Sequence, residues 1–596
     1  MEIRRPIRPL VRILKARARG VDPALIEAEE RATRLRKQRT REKRRAELRL
    51  GLMAAVFGAA FITVGAKMAL VALDEPVEPP ARGVAATIIN QRANIVDRNG
   101  AILATNLRTA SLYATPQDMA DPLSAVDGLM AIFPDLEADR LLRDLTGSRK
   151  FVWIKRKLSP EQQQAVLDLG EPGLKIGPRE LRLYPNGAFA AHILGGTRFG
   201  VEGVRSAELV GTAGVELQFD DYLRDPANDD RPLQLSIDLT VQSAMRQVLE
   251  GGLKLMNAKA ATGVLMEADT GRIISMVSLP DFDPNYRPNP PVSGDPADSP
   301  LFNRAAQGTY ELGSTFKIFT AAQAMESGAA TPDTILDTSG PIRWGRFRIN
   351  DFDDYGSKLS LRDVIVYSSN IGVARLAQSM GAESQQDFLR KLGLLDRLPI
   401  ELPESRRSVP IVPARWSEIS TMTISYGQGI AVTPVHLAAA YAAIVNGGLR
   451  VRPTLLQEVT PPTEADRVIS ESTSLAARDM LRQVVVRGTA SFGEVEGYEV
   501  GGKTGSADKP DPQGSYYADR VIGTFAAAFP MSDPKYVLIV SLDEPEITVL
   551  DVDRRTAGWT AVPVSAEIIR RIAPLLGLRP DRKDETSPTP ILVTSN

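Results

Sequence analysis

The 596-residue sequence predicts an α/β protein of the α+β kind, an antiparallel sheet with a helical subdomain, preceded by one transmembrane helix and a mixed α+β pedestal. Three observations predict it. A single apolar run near the amino end is long enough to cross a bilayer. Extended and helical segments open a compositional unit near Leu235, and two strands and a helix close it near Leu576, so a sheet is assembled from both ends of that unit around a helical middle. With 43% hydrophobic residues, the chain can bury several cores, which calls for two or three domains.

The apolar run is 50–73, interrupted only by Thr63 and by Lys67, which lies near one end where its side chain can snorkel to the headgroups. It is too long, and follows too long a head, for a cleaved signal peptide. The first fifty residues carry seventeen Lys and Arg against seven Asp and Glu, so this head is strongly basic while the rest of the chain is net acidic. Asp74, Glu75 and Glu78 follow the run. The positive-inside rule therefore puts the amino end in the cytoplasm and everything after residue 73 outside. The same segregation of charge argues against nucleic-acid binding by the body.

Five segments follow: a cytoplasmic basic head (1–49), the span (50–73), a pedestal (74–232), a main domain (233–577) and a polar, Pro-rich, disordered tail (578–596). In the pedestal, Ile95 to Leu103 reads as a hairpin about Asn99-Gly100. The main domain should hold a helix from Thr240 to Leu255, strands at 263–266, 273–277, 521–529 and 536–542, and a closing helix from Val562 to Leu576.

There is no cysteine, no Gly-x-x-x-x-Gly-Lys-Ser/Thr and no His-Glu-x-x-His, so thiol chemistry, a P-loop and a zincin site are excluded, and neither metal nor cofactor is expected. The two histidines, His192 and His436, lie in apolar or Ala-rich stretches and read as structural. A serine nucleophile would then need a lysine base. Ser-x-x-Lys places the two one helical turn apart, but it occurs three times, at Ser314/Lys317, Ser506/Lys509 and Ser532/Lys535. Only Ser314 opens a helix, running from Thr315 to Ser327 and stopped by Gly328. A serine there faces unpaired N–H groups and the positive dipole end, which favour developing negative charge. Lys317, kept neutral by desolvation and by nearby cations, could take its proton. Downstream stand the one Ser-x-Asn, Ser368-Ser369-Asn370, and the one Lys-Thr-Gly, Lys503-Thr504-Gly505, followed by Ser506.

In that order these motifs resemble those of penicillin-binding proteins and serine β-lactamases. Arg92 to Ala104, Arg182 to Gly195, Gly214-Val-Glu216, Ser278 to Asn285 and Tyr426-Gly-Gln-Gly429 are similar to the same family, so the likeness covers about 84 to 577. One span, a pedestal of the penicillin-binding protein dimerisation type and no glycosyltransferase domain resemble the class B transpeptidases. The stretch 368–377 and the basic head look most like the cell-division member, with the elongation type, a penicillin sensor and a β-lactamase as alternatives. Departures are Leu312 for proline, Ala93 for glycine and Ser506 for threonine.

The resemblance implies an inner-membrane, periplasm-facing D,D-transpeptidase that cross-links peptidoglycan stem peptides, releases D-Ala and is acylated by β-lactams. It implies a membrane glycosyltransferase and other division proteins as partners. Ser314 would be the nucleophile, Lys317 its base, and Ser368 and Asn370 a proton relay and substrate holder. Lys503, Thr504, Gly505 and Ser506 would bind the terminal carboxylate, and the N–H groups of Ser314 and Ser506 would form the oxyanion hole. Strand alternation puts Lys503 on the face opposite Thr504 and Ser506.

Overall fold

The computed structural model describes residues 50–67, 92–202, 207–345, 347–511 and 515–581, with scattered positions between 12 and 36. Two units result. In the first, helix α1 (Leu50–Lys67) is long and apolar enough to cross a membrane. The rest of the expected span, 68–73, most of the head, the connector to 91 and the tail beyond 581 lie outside the described residues.

In the second unit the expected hairpin forms. Strand β1 (Ile95–Val96) pairs antiparallel with β2 (Ile102–Ala114), and Asp97 closes the turn by accepting from the N–H groups of Asn99 and Ala101, both at 2.8 Å. Gly100, at φ +85°, takes the left-handed position that a side chain would resist. Strand β2 continues past the hairpin to pair with β3 (Val152–Leu158) and β4 (Leu174–Leu183). Around this end Leu112, Leu129, Leu145 and Val166 make a small separate core. A second hairpin, β5 (Gly196–Glu202) with β6 (Ala207–Ala213), leads into the short helix α2 (Gly214–Gln218).

The far side of the pedestal shares the core of the main domain. Ile95, Leu103, Ile193 and Val215 belong to the same apolar cluster as Val264, Phe319 and Ile539. The backbone repeats the junction, because β1 pairs parallel with β7 (Leu233–Gln234) and Asp97 accepts from the N–H of Leu239, which opens α3 (Leu239–Leu255). Beside it lies a buried ionic hub. Glu216 of α2 accepts from Arg92 Nε at 2.6 Å and from Arg182 Nε at 2.7 Å, and Arg92 also reaches Asp220 at 2.7 Å.

The main domain is built on a five-stranded sheet in the order β14-β15-β16-β8-β9, antiparallel throughout. Its first two strands in sequence are β8 (Ala260–Glu267) and β9 (Ile273–Leu279). A helical region follows, with two small hairpin-like pairs, β10 (Ile335–Asp337) with β13 (Lys358–Ser360) and β11 (Ile342–Trp344) with β12 (Phe347–Ile349). The sheet is completed by β14 (Gly501–Pro510), β15 (Tyr516–Phe529) and β16 (Tyr536–Asp543). From the helical region, α4 (Lys317–Glu326), α5 (Leu361–Val366), α6 (Asn370–Met380), α7 (Pro434–Val445) and α8 (Glu471–Arg487) matter below, and α9 (Ala561–Leu575) closes the domain. Helices α3 and α9 pack on each other and on the sheet, α7 packs on β8 and β16, and α8 lies along β14. Strand β9 is buried throughout, as a strand covered on both faces must be.

The expected elements appear with small shifts of their ends. Strand β14 is an edge strand, with no strand paired to its outer backbone edge among the described residues.

The buried hub yields a stability test. Replacing Glu216 by Ala strands two buried guanidiniums without that carboxylate, and breaking such a pair costs about 3–5 kcal/mol. Denaturant unfolding of Glu216→Ala should show that loss, and an unchanged midpoint would refute it.

Candidate active site

Ser314 sits in a 3₁₀ turn, Gly313–Phe316, that runs directly into α4, so the expected helix begins as a tighter turn rather than as α-helix. Thr315 Oγ1 donates to Leu312 O at 2.9 Å, and the buried Tyr441 of α7 donates its hydroxyl to Thr315 O at 2.7 Å. Phe316, Phe319 and Tyr441 follow one another edge to face, with ring centres 5.3 and 5.4 Å apart. The turn is therefore held by packing below, while Ser314 itself stays partly exposed and its hydroxyl has no hydrogen-bond partner among the described residues.

One turn on, Lys317 is fully buried. Its amine donates to Ser368 Oγ at 2.9 Å and to Ser368 O. From the other side Lys503, also fully buried, donates to the same Ser368 Oγ at 2.9 Å, to Thr504 O at 3.2 Å and to Thr504 Oγ1 at 3.4 Å. Two amines from elements 186 residues apart in sequence thus meet at one hydroxyl. Burial holds Lys317 well below the ordinary lysine range, the Lys503 charge lowers it further, and Asp351 opposes both. Burial alone brings Lys503 down to about 7.

The acceptors around the two amines suit one charged and one neutral lysine. An ammonium has three N–H donors, and Lys503 has three acceptors; a neutral amine has two, and Lys317 has two. Lys317 as a free amine keeps its lone pair available. Ser368 Oγ accepts from both amines, which uses its two lone pairs and leaves its own proton to donate.

Ser368 is held at φ +65°, a conformation rare for serine and a sign of strain imposed by its surroundings. The cause lies in the next residues. Ser369 caps α6 by accepting from Gly372 N–H, and it donates to Asp351 Oδ2 at 2.6 Å. Asp351 Oδ1 accepts from the N–H groups of Asn370 and Ile371 at 2.5 and 2.9 Å. The carboxylate at the start of α6 satisfies donors that have no partner within the helix and suits the dipole there. Asn370 opens α6, and its Nδ2 donates to Asn350 O at 2.8 Å.

Strand β14 closes the other side. A Cβ on Gly505 would come within 2.2 Å of Leu312 O, and one on Gly313, at φ +54°, within 3.0 Å of Ser506 O. The backbone of the Lys-Thr-Gly strand therefore lies directly on the turn that carries Ser314, at a separation only glycine permits. Alternation holds: Lys503 turns inward, while Ser506 is exposed and its Oγ accepts from Ala557 N–H at 2.9 Å. Thr504 Oγ1 lies 2.7 Å from Thr489 Oγ1.

The structure thus brings Ser314, Lys317, Ser368, Lys503, Thr504, Gly505 and Ser506 together where the Ser314 turn, the Ser-x-Asn segment and β14 meet, with Asn370 opening the helix beside them. The other two Ser-x-x-Lys pairs are elsewhere employed: Lys509 pairs with Asp543 and Glu544, and Lys535 pairs with Asp533. Both histidines are structural. His192 lies 2.8 Å from Pro300 O and His436 3.1 Å from Asp396 O, and burial pushes each down to about 4. Sequence reasoning missed Asp351 and Thr489. Asp351 sits in an Asn-Asp-Phe-Asp-Asp run that reads as an ordinary polar turn, and nothing in it singles out one carboxylate.

Comparison with known proteins agrees with this geometry. Residues 261–570 match the penicillin-binding protein transpeptidase domain, and residues 87–228 the penicillin-binding protein dimerisation domain. The probable peptidoglycan D,D-transpeptidase FtsI of Caulobacter vibrioides is 35% identical over 514 residues, covering 84% of each chain. The probable peptidoglycan D,D-transpeptidase PenA of Neisseria gonorrhoeae is 31% identical over 474 residues, covering 76% of this chain and 80% of that one. The crystal structure of penicillin-binding protein 3 from Mycobacterium tuberculosis with ampicillin superposes with a TM-score of 0.62 at 25% identity, over 83% of this chain and 97% of that one. With a transpeptidase domain and a dimerisation domain matched in order along one chain, this protein belongs to the penicillin-binding protein family.

Proposed function

We propose that this chain is a peptidoglycan D,D-transpeptidase that cross-links stem peptides through an ester on Ser314. The observation that carries the reading is the meeting of two buried amines at the Ser368 hydroxyl beside a partly exposed Ser314 whose hydroxyl has no hydrogen-bond partner among the described residues. Lys317, with its lone pair free, takes the Ser314 proton as Oγ attacks the penultimate D-Ala carbonyl. The N–H groups of Ser314 and Ser506 receive the oxyanion. The C–N bond to the terminal D-Ala breaks, and that nitrogen receives a proton from Lys317, passed through Ser368. An amine from a neighbouring stem then attacks the ester, gives its proton to Lys317, and Ser314 Oγ leaves and is reprotonated.

Lys503, as the ammonium, attracts the terminal carboxylate, with Thr504 and Ser506 as hydroxyl donors and Gly505 leaving the strand backbone open to the ligand. Asn370 holds the substrate amide. The same reading divides the chain into head (1–49), span (50–73), pedestal (74–232), transpeptidase domain (233–577) and tail (578–596). It puts the amino end in the cytoplasm, the body in the periplasm, and the enzyme at the division septum. A membrane glycosyltransferase and other division proteins are its partners there. The septal assignment rests on the resemblance of 368–377 and of the basic head.

Fluorescent penicillin should label the wild-type chain, label Lys317→Ala at least about 100-fold more slowly, as the loss of a general base requires, and leave Ser314→Ala unlabelled. A stable adduct on Ser314→Ala sinks the assignment, and rapid release of hydrolysed penicillin sinks the transpeptidase reading.

The pH dependence follows from the two amines. Lys317 must be neutral, so acylation rises with pH through its lowered pKa. Lys503 must be charged, so acylation falls again as pH passes about 7. In the rate of acylation by a carboxylate-bearing penicillin, Lys503→Arg should remove the alkaline limb, because a guanidinium stays charged there. An alkaline limb that persists in that variant assigns it to another group.

A further inference from the structure

The Thr504 hydroxyl has two neighbours within the protein. Lys503 Nζ donates to its Oγ1 at 3.4 Å, and Thr489 Oγ1 lies 2.7 Å from it. A hydroxyl has one proton to give and two lone pairs with which to accept. If Thr504 gives its proton to Thr489, it has none left for a ligand. If Thr489 gives its proton to Thr504, both lone pairs of Thr504 Oγ1 are filled, one by the Lys503 ammonium and one by Thr489. The Thr504 proton must then go to a third partner, and among the described residues there is none. Accepting from a cation also polarises the O–H and makes it the better donor.

Backbone packing, rather than a surface rotamer, places Thr489 there. It follows α8, whose end is closed by the N–H groups of Gly488 and Ala490 donating to Val484 O at 3.0 and 3.2 Å. Gly488 lies against the segment that leads to Ser368, since a Cβ on it would come within 2.6 Å of Val366 O. On the other side, a Cβ on Gly558 would come within 2.8 Å of Thr489 O. Two close approaches that need glycine thus fix residue 489 between the Ser-x-Asn segment and the chain entering α9. Thr489 is itself exposed, so its hydroxyl could be satisfied by water, yet it is held on the hydroxyl of the Lys-Thr-Gly strand.

We infer that Thr489 is a positioning residue for the terminal carboxylate of the substrate: it donates to Thr504 Oγ1 and so commits the Thr504 proton to that carboxylate. This inference rests on the reading of Lys503 and Thr504 as the carboxylate site. It adds the residue that orients the neutral donor beside the charged one.

The test measures acylation of the full-length chain in detergent by benzylpenicillin, which carries a carboxylate, and by its methyl ester, which does not. Wild type should react faster with the acid. Thr489→Val keeps the shape of threonine but has no proton to give. Its second-order rate constant with benzylpenicillin should fall about tenfold or more, as the loss of one hydrogen bond to a charged group requires, and its rate with the ester should stay within about twofold of wild type. Thr489→Ser, which keeps the hydroxyl, should retain most of the wild-type rate. In a Thr504→Val background, Thr489→Val should cost nothing further, because the residue acts through Thr504. Thermal unfolding at the wild-type midpoint marks the variants as folded, and Thr489→Ala serves if Thr489→Val does not fold.

Equal losses with acid and ester make Thr489 a mere tie between α8 and β14 and overturn the inference, as does no loss with either. Thr489→Ser as slow as Thr489→Val overturns it too, and so does a loss that persists in full in the Thr504→Val background. A wild type that takes the ester as fast as the acid removes the carboxylate reading of Lys503 and Thr504, and this inference with it. Where wild type prefers the acid, Thr504→Val loses that preference and Thr489→Val keeps it, the carboxylate reading stands and this inference alone falls.

Discussion

Everything at the site depends on two fully buried lysine amines sharing one serine hydroxyl. Each Nζ is 2.9 Å from Ser368 Oγ, so the two lie within about 6 Å of each other; at an effective dielectric of about 20, two full charges at that distance repel by roughly 3 kcal/mol. That corresponds to about two pKa units, before any cost of burial is added. Added to the cost of burial, this repulsion disfavours charge on both amines at once, and the acceptors favour Lys503 as the charged one. Lys503 has three acceptors to satisfy an ammonium, and Lys317 has two and Asp351 only at a distance. Burial is the larger of the two influences that lower Lys317, and the charge of the other lysine adds to it.

Such an arrangement needs a rigid frame, and the frame is mostly backbone. Three segments touch without side chains between them: the Gly313 turn, the strand at Gly505 and Ser506, and the loop at Gly427, where a Cβ would come within 2.1 Å of Gly313 O. A methyl group on Gly505 would push the strand that brings Lys503 off the turn that brings Lys317, and one on Gly427 would push its loop off the same turn. The wall opposite is held by charge instead. Asp351 ties three donors at the start of α6, and the strained backbone of Ser368 is the cost of aiming both its carbonyl and its hydroxyl at Lys317.

How much of this was legible in the sequence varied with the range of the interaction. Helix α3, strands β8 and β9, and the closing helix α9 follow from local periodicity, and they fall where expected. The reacting residues were legible because their spacing and order repeat a known pattern. Asp351 was not, because its role depends on backbone N–H groups nineteen and twenty residues away, brought to it by tertiary packing. Strand alternation placed Lys503 on the face opposite Thr504 and Ser506, but its meeting with Ser368 was not legible, since alternation says nothing of what lies opposite. The 3₁₀ start of the helix at Ser314 has no signature that distinguishes it from an ordinary first turn.

The pedestal was read as a domain in its own right, and its smaller core, around Leu112 and Leu129, behaves as one. Its other half does not stand apart. Strand β1 pairs with β7, Ile95 and Val215 enter the main core, and Glu216 draws Arg92 and Arg182 into one buried cluster. From α2 the contact passes on, since Gly214 N–H donates to Glu404 at 2.7 Å, and the chain beyond Glu404 reaches Ile411, which bridges Ala431 beside the glycine loop that touches Gly313. Removing any one member of the Arg92–Glu216–Arg182 cluster would leave buried charge uncompensated, so the three residues are tied to one another across the junction. The half of the pedestal nearest the sheet therefore shares strand pairing, core and ion cluster with the catalytic body, whereas the distal half, where β2 and β4 pair, carries its own core.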